Sequence, residues 1–395
     1  MKKQFSYQNR ICIWLLMAVS IVACTDKRGY RTDCIDYIDS LRINLGDTTL
    51  RVAFIKPDID YPVRPYPFVY EDCLVVLNKA DAFYALYLDC FDRDSVFESQ
   101  LNKKAFYKAF LLNSDLYAVD KDSISYIYNK EKKEWDRKEI DLPFGDEIPL
   151  YEDNKYVCYS VCHGEFGGAV FFYNKATRKT TFIPSSCAVA VIKGEDGYQV
   201  VSSLSHMAFT SSVVSINNPD SLYAYPDSLF IDEGWRKMQE HKLVELIDND
   251  TNANQEDISL DFFGFDQLIT SAFIYNNQYY YITKTYDGVC FSQLQRDSTG
   301  ATIKIEHTLE FPDYEPITYR KDKLDTIPVP TSIFPYFYHL EDVRTAQADG
   351  MTIINYAYRT NEPELRYNYS YINLLETTFI QRDSSLIRID WSNWK

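Results

Sequence analysis

The chain reads as an all-β protein, and three observations predict this. Apolar and polar residues alternate with period two over long stretches, such as Gln278–Phe311 and Gly197–Asn218. Side chains suited to a half-buried pleated surface dominate: 33 tyrosines and 24 phenylalanines stand among many Val, Ile and Thr. Pairs that tolerate the positive φ of tight hairpins punctuate the runs at Asp196-Gly197, Asn276-Asn277, Asp287-Gly288 and Asp349-Gly350.

The strands are expected to come in repeats. Two stretches, SYIYNKEKKEW (Ser125–Trp135) and VFFYNKATRKT (Val170–Thr180), each run through alternating aromatics to Tyr-Asn-Lys and a charged tip. Asn129 and Asn174 are 45 residues apart, and Asn218, in VVSINNPDS, comes 44 later. The tetrapeptide QRDS at Gln295–Ser298 returns at Gln381–Ser384, 86 residues on, which is two periods of 43. A similar DRDS stands at Asp92–Ser95. A period in the low forties holding about four short strands is the spacing of β-propeller blades. One four-stranded sheet cannot bury both its faces alone, whereas blades stacked around an axis bury each other's.

The tips number six, which predicts a six-bladed ring, or a seven-bladed one if a long gap hides a degenerate blade. Two face-packed sandwiches are the rival architecture. The propeller domain is expected over residues 41–395, with insertions near 225–265 and 311–335. The first insertion carries a moderate helical stripe at Trp235, Met238, Leu243, Leu246 and Ile247, and the second is broken by prolines. An early strand over Leu41–Ile55 is expected to close the ring by pairing with Leu386–Trp391.

The N-terminus speaks to compartment. Lys2, Lys3 and Arg10 precede an apolar or small run of 13 residues, Ile11–Ala23, which is too short to span a bilayer. The run ends at IVAC (Ile21–Cys24). This resembles the lipobox of bacterial lipoproteins, in which a branched apolar residue and a small residue precede a lipid-bearing Cys. The resemblance covers about the first 25 residues. It implies a signal peptide at 1–23, lipidation of Cys24, a tether over 24–40 and a membrane contact through the lipid. Thr25, rather than Asp, stands after the Cys, and by the same resemblance this implies the outer membrane over the inner one.

Composition excludes some partners. The whole chain carries a net charge of −16. Without residues 1–23 it would hold 38 basic and 57 acidic side chains, net −19. Such a surface repels polyanions, and basic patches interleaved with aromatics are absent, so nucleic acid is not an expected partner. Phosphate-cradling loops, nucleophile elbows and His-Glu-x-x-His are also missing, so neither nucleotides nor any other cofactor is expected. Beyond Cys12 and Cys24 there are seven cysteines, an odd number that leaves room for one or two disulfides in an oxidising compartment.

Candidate sites are sparse. Val157–Tyr173 contains Cys158, Cys162 and His163. In a strand the two cysteines would share a side about 13 Å apart, too far to share a metal. They are read as buried structural thiols, and no metal site is expected. His163–Gly168 (HGEFGG) reads as a loop between two strands. His163, Glu165, His206 and His339 are the residues expected near the mouth of the axis, while His241 and His307 belong to other units. Acidic pairs such as Asp60/Glu71, Asp261/Asp266 and Glu341/Asp342 are candidates for acid–base work, but 57 carboxylates make such pairs common. Aromatic-rich Gln278–Tyr286, Ile333–Leu340 and Tyr356–Tyr371 fit either inter-blade packing or platforms for sugar rings and protein hot spots. Asp-Ser or Asp-Thr before an aliphatic residue recurs, as at Asp94-Ser95-Val96 and Asp122-Ser123-Ile124. It fits turn chemistry and also resembles an O-glycosylation acceptor of exported bacterial proteins.

These readings converge on a lipid-anchored envelope propeller that binds or scaffolds an envelope protein or a glycan. The rival is a glycan-active propeller enzyme, a lyase or hydrolase, with His and carboxylates at the axis mouth.

Overall fold

The first strands form a hairpin, β1 (Tyr37–Leu45) and β2 (Thr48–Ile55), that belongs to the last sheet of the chain. The computed structural model describes residues 35–164, 167–206, 208–226, 247, 258–263, 268–285, 288–297, 300–309, 340–348, 350–359 and 374–391. The expected signal peptide at 1–23, Cys24, the start of the expected tether, Glu165, His241, His339, the expected second insertion and all but Ile247 of the expected helical stripe lie outside these residues. β1 begins four residues before the expected start of the domain.

Sheet one is β3 (Phe68–Tyr70), β4 (Cys73–Leu77) and β5 (Phe83–Tyr87), with helix α1 (Ser95–Leu101) after it. Sheet two is β6 (Lys108–Leu112), β7 (Asp115–Val119), β8 (Ser125–Asn129) and β9 (Glu134–Arg137). Sheet three holds β10 (Tyr151–Glu152), β11 (Tyr156–Cys162), β12 (Gly168–Asn174) and β13 (Thr180–Pro184). Sheet four holds β14 (Ala188–Gly194), β15 (Gly197–His206) and β16 (Ala208–Ile216). The chain then sends β17 (Tyr223–Tyr225) back to the outer edge of β13 and returns with β18 (Ile258–Phe263) as the fourth strand beside β16. Sheet five is β19 (Leu268–Tyr275), β20 (Gln278–Thr285), β21 (Gly288–Asp297) and β22 (Gly300–Leu309). Sheet six is β23 (Leu340–Ala348), β24 (Met351–Arg359), β25 (Leu374–Arg382) and β26 (Ser385–Asp390).

The early segment closes the ring as expected, but as a hairpin rather than the single strand over Leu41–Ile55. β2 pairs with β26 in parallel, Val52 opposite Leu386, so the last sheet combines both ends of the domain. Tyr37 and Ser385 add a hydroxyl contact of 2.9 Å.

The hydrophobic clusters show how the sheets pack. Along β12, Ala169, Phe171 and Tyr173 face a core shared with sheet two, while Val170 and Phe172 face a core shared with sheet four. β4 divides the same way: Leu74 and Val76 pack toward sheet six, and Cys73, Val75 and Leu77 toward sheet two. A fifth core joins sheets four, five and six. Each strand thus uses its period of two to fill two different interfaces, which is the arrangement of a β-propeller. An isolated sheet would leave one of those faces wet.

Six sheets are present among the described residues, but five of them are complete blades of four strands or more. The expectation of six full blades is corrected at sheet one, which has three strands. Here α1 stands where the fourth strand would run. Asn102 accepts from the Phe83 N–H at 2.6 Å and donates to the Phe83 carbonyl at 3.0 Å. The Glu98 carboxylate accepts from the Ala85 N–H at 3.0 Å. Backbone bonds from Tyr87 N–H to Asp92 O and from Asp94 N–H to Ala85 O complete the edge. The outer side of β5 is therefore satisfied without a partner strand.

All six tips read from the sequence fall at one structural position, the link that leaves the third strand of a blade. Asn129, Asn174, Asn218, Asp297 and Asp383 end β8, β12, β16, β21 and β25 or stand just beyond them, and Asp94 caps α1 after β5. The asparagines recur for a chemical reason. Their side-chain oxygens accept backbone N–H groups two or three residues on: Lys132 for Asn129, Ala176 and Thr177 for Asn174, and Asp220 for Asn218.

Candidate ligand site at the axis

The first strand of a blade lies nearest the axis, and β3, β6, β10 and β23 enclose a cavity of about 1030 Å³ there. Its mouth is formed by the turns between first and second strands: Glu71-Asp72, Asn113-Ser114, Glu152–Asn154 and the end of β23 at Gln347-Ala348. Lys108, Glu147, Ser160 and Arg344 line it further in.

Most charges on its wall are paired. Lys108 Nζ donates to Asp146 Oδ2 at 3.1 Å and to the Asp146 carbonyl at 2.9 Å, and lies 3.8 Å from Glu147. Burial would raise the Asp146 pKa, but Lys108 and the Tyr107 hydroxyl outweigh it and hold that carboxyl below its ordinary range. Glu152 takes Lys175 at 2.5 Å and also accepts the Asn113 N–H at 2.7 Å, which ties the turns of sheets two and three together. Glu71 pairs with Lys130, whose ammonium sits 4.6 Å over the Tyr70 ring. Asp153 accepts from Lys193 and from the Tyr198 hydroxyl, each at 2.6 Å. Burial opposes ionisation there too. These two bonds, with the N–H groups of Tyr156 and Lys155, still hold its pKa at about 2.

Three further features mark the wall. Arg344 Nη1 reaches Ser160 Oγ at 3.5 Å, and its guanidinium lies 5.4 Å from the centre of the Tyr66 ring. Tyr66 holds a φ of +84°, outside the comfortable range of a bulky side chain. The buried hydroxyls of Tyr70 and Tyr159 have no hydrogen-bond partner among the described residues. Burial pushes both phenols well above their ordinary range, so they are neutral groups able to donate and accept. The cavity can receive a polar ligand by hydrogen bonding, with Tyr66 as a flanking ring.

The two described histidines among those chosen from sequence, His163 and His206, lie elsewhere. His163 comes just after β11 and His206 ends β15, so both stand at links between second and third strands, on neighbouring sheets. Antiparallel order places those links at the opposite end of the blades from the cavity's mouth turns. His163 does not line the cavity; its Nε2 is buried without a hydrogen-bond partner among the described residues. His307 is in β22, the outermost strand of its sheet. No group of three or more His, Cys, Asp or Glu side chains among the described residues is placed to hold a metal ion.

The HGEFGG segment is a link between β11 and β12, as expected, but the thiols differ from their reading. Cys158 is a buried free thiol, while Cys162 is disulfide-bonded to Cys187, with Cα atoms 4.5 Å apart. Cys162 faces Gly168 in the β11–β12 register, and the Ser185 N–H bonds to the Gly168 carbonyl. That path brings Cys187 back beside Cys162.

The wall residues Lys108, Glu152 and Arg344 were not visible as a group in the sequence. The phase of the repeat is the signal that finds two of them: Lys108 lies 21 residues before Asn129, and Glu152 lies 22 before Asn174.

No family model matches the chain, and no curated protein matches it either. Solved structures give loose likenesses only. One is a chain from the S. cerevisiae structure of a Dbp5 variant bound to Nup159, a Gle1 variant, IP6 and ADP. It is 9% identical, covers 75% of this chain and 73% of that one, and superposes with a TM-score of 0.27. Another is the N-terminal domain of Nup159, 10% identical over the same shares, with a TM-score of 0.26. Likenesses this distant carry nothing further. The propeller fold, read from the sheets themselves, suggests a binding or scaffold module.

Proposed function

We propose that this protein is a lipid-anchored envelope module that binds an envelope protein or a glycan at the mouth of its axial cavity. The carrying observation is the cavity itself, about 1030 Å³ in volume, where paired charges, the Tyr66 ring and the unpartnered hydroxyls of Tyr70 and Tyr159 converge. Because most of its wall charges already have partners, a neutral polar ligand enters without stripping an ion pair, and its hydroxyl or amide groups complete the two phenols.

The anchor belongs to the same proposal. The lipobox-like IVAC supports lipidation at Cys24, and the Cys162–Cys187 disulfide supports life in an oxidising compartment. The outer membrane rests on Thr25 by resemblance alone.

A glycan array and a pull-down with the soluble chain from residue 25 onward test the binding reading. Tyr159→Phe removes one unpartnered hydroxyl with little change in shape and is expected to weaken a captured ligand about three- to tenfold, the worth of one hydrogen bond. A ligand held equally well by Tyr159→Phe and by an Arg344→Ala variant does not bind in the cavity. Palmitate labelling of the full chain, lost in Cys24→Ala, tests the anchor separately.

A further inference from the structure

The mouth of the axial cavity continues sideways into a second hollow of about 430 Å³ between sheets one and two. The two share Glu71, Asp72 and Lys130. The hollow exists because sheet one lacks a fourth strand: α1 leaves room beside β8 that a strand would fill.

Its chemistry is mixed. Four carboxylates face it, Glu71, Asp72, Asp89 and Asp94, against two ammonium groups, Lys130 and Lys133. Lys130 is taken by Glu71, and Asp94 accepts the Phe97 N–H at 2.9 Å, while Asp72 is exposed and Asp89 half-buried. Buried Phe97 and Tyr128 form an apolar floor. At its rim stand two of the few large apolar side chains that face solvent among the described residues, Val96 at 67% exposure and Tyr87 at 40%. The unpartnered Tyr70 hydroxyl belongs to the ring cluster with Phe97 and Tyr128 beneath this junction.

Local turn chemistry points the same way. Glu71 and Asp72 both have positive φ, 52° and 58°. Such a turn favours Asn or Gly. The equivalent turns at Asn113-Ser114 and Asn276-Asn277 use Asn, whereas this one sets two carboxylates at the junction of both hollows. The field here is negative. Burial, then Asp94, Asp72 and Asp89, push the Cys73 thiol up to about 12. A hydrogen bond with Asp94 raises the Tyr87 hydroxyl to about 12.

We propose that this hollow docks a cationic, partly apolar segment of a partner protein, with a Lys or Arg against Asp72 and Asp89 and an apolar neighbour on Val96 and Tyr87. Charge complementarity selects the occupant: the hollow is acidic with an apolar lip, and the chain as a whole carries −16. The inference rests on the reading of the ring as a binding module and names the chemistry of a protein partner.

The test uses the soluble chain and a fluorescent peptide of alternating Lys and Leu, monitored by anisotropy at low and moderate salt. The expected result is saturable binding that falls with salt and is absent for the same peptide with Glu in place of Lys. An Asp72→Asn/Asp89→Asn chain is expected to bind about tenfold more weakly, and Val96→Ser to weaken binding as well. Asn is at home in the positive-φ position of Asp72, so the double variant keeps its fold. An Asp39→Asn/Asp47→Asn chain, altered on the β1–β2 hairpin, removes the same charge and is expected to bind as the parent does. Equal loss in both double variants, or equal binding of the Glu peptide, overturns the inference. Photocrosslinking in cells separates the two readings. A crosslink through benzoylphenylalanine at position 96 supports docking in the hollow. A crosslink at position 114 alone overturns the hollow and leaves the module standing, and none at either position ends both.

Discussion

Sheet one stops at β5, whose outer edge bonds to Asn102, Glu98 and the backbone at Asp92, whereas sheet three runs on past β13 to β17, a strand sent back from between the third and fourth strands of the next blade. Both edges are satisfied, by opposite means. Side chains on a short helix cap one edge, and that leaves an open hollow beside it. A borrowed strand covers the other, and the Thr181 hydroxyl bonds to the Pro219 carbonyl at 2.8 Å to hold the returning chain. The comparison teaches that closing this ring requires two filled inter-sheet faces per blade, while the outer edge is free to vary and to carry function.

The sharpest way to break sheet three is at its two faces. Phe171 and Phe172 are both fully buried neighbours on β12, yet they serve different cores. Phe171 packs on Tyr225 with ring centres 5.1 Å apart, and Phe172 on Tyr198 at 5.8 Å. Phe171→Ala and Phe172→Ala are each expected to cost about 3–5 kcal/mol in denaturant unfolding. A cost below about 1 kcal/mol for either would mean that one of the two interfaces is not a core.

The matching cut in sheet one is Glu98→Ala. It strands the buried Ala85 N–H and removes the Arg93 partner held at 2.6 Å, and is expected to cost about 1–3 kcal/mol. Glu98→Gln keeps the acceptor and should recover part of that loss. Amide exchange at Phe83 and Ala85 should quicken in Glu98→Ala while β12 stays protected. Uniform exchange across both sheets would show that α1 does not cap the edge locally.

The same contrast explains how much of the molecule was legible in the sequence. The third-to-fourth-strand tips were visible because each needs a side chain that caps its own turn, and Asn129, Asn174 and Asn218 do so within three residues. The ring-closing pair was visible because Val52 and Leu386 lie in apolar runs at the two ends of the domain. The three-stranded blade was not, since Asp92–Ser95 looks like the other tips and only the later bonds of Glu98 and Asn102 turn the segment into a helix. The site was the least legible part. Lys108, Glu152 and Arg344 are ordinary polar residues on inner strands, brought together by a closure that local pattern does not encode, whereas His163 drew notice by residue type and sits at the other end of its blade.

A pH titration sharpens the comparison at the mouth. Asp153 has a folded pKa of about 2, below its ordinary 3.8, so its contribution is complete above about pH 4 and fades as pH falls toward 2. The parent should lose stability across that window by an amount that Asp153→Asn lacks, and the variant should be weaker at neutral pH. Identical slopes of the urea midpoint between about pH 4 and pH 2 in both chains would exclude Asp153 as a contributor.

The smallest expected effect separates a tip that only turns from one that also tethers. Asn129 is half-buried and bonds within its own hairpin, to the Lys132 N–H and to Asp136. Asn174 is 3% exposed, holds two backbone N–H groups, and donates from Nδ2 to Asp220 at 2.9 Å, reaching the segment that leads into β17. Asn129→Ala is expected to cost about 0.5 kcal/mol and Asn174→Ala about 1–2 kcal/mol. Asn174→Asp tells the two roles apart, because it keeps the oxygen that caps the turn but replaces the donor with a charge facing Asp220. If the tether to β17 matters, that variant falls below Asn174→Ala at neutral pH and recovers as Asp220 and the new carboxyl are protonated. If only the turn matters, it stays close to the parent at neutral and acid pH, and β17 is held by its strand pairing and the Thr181–Pro219 bond.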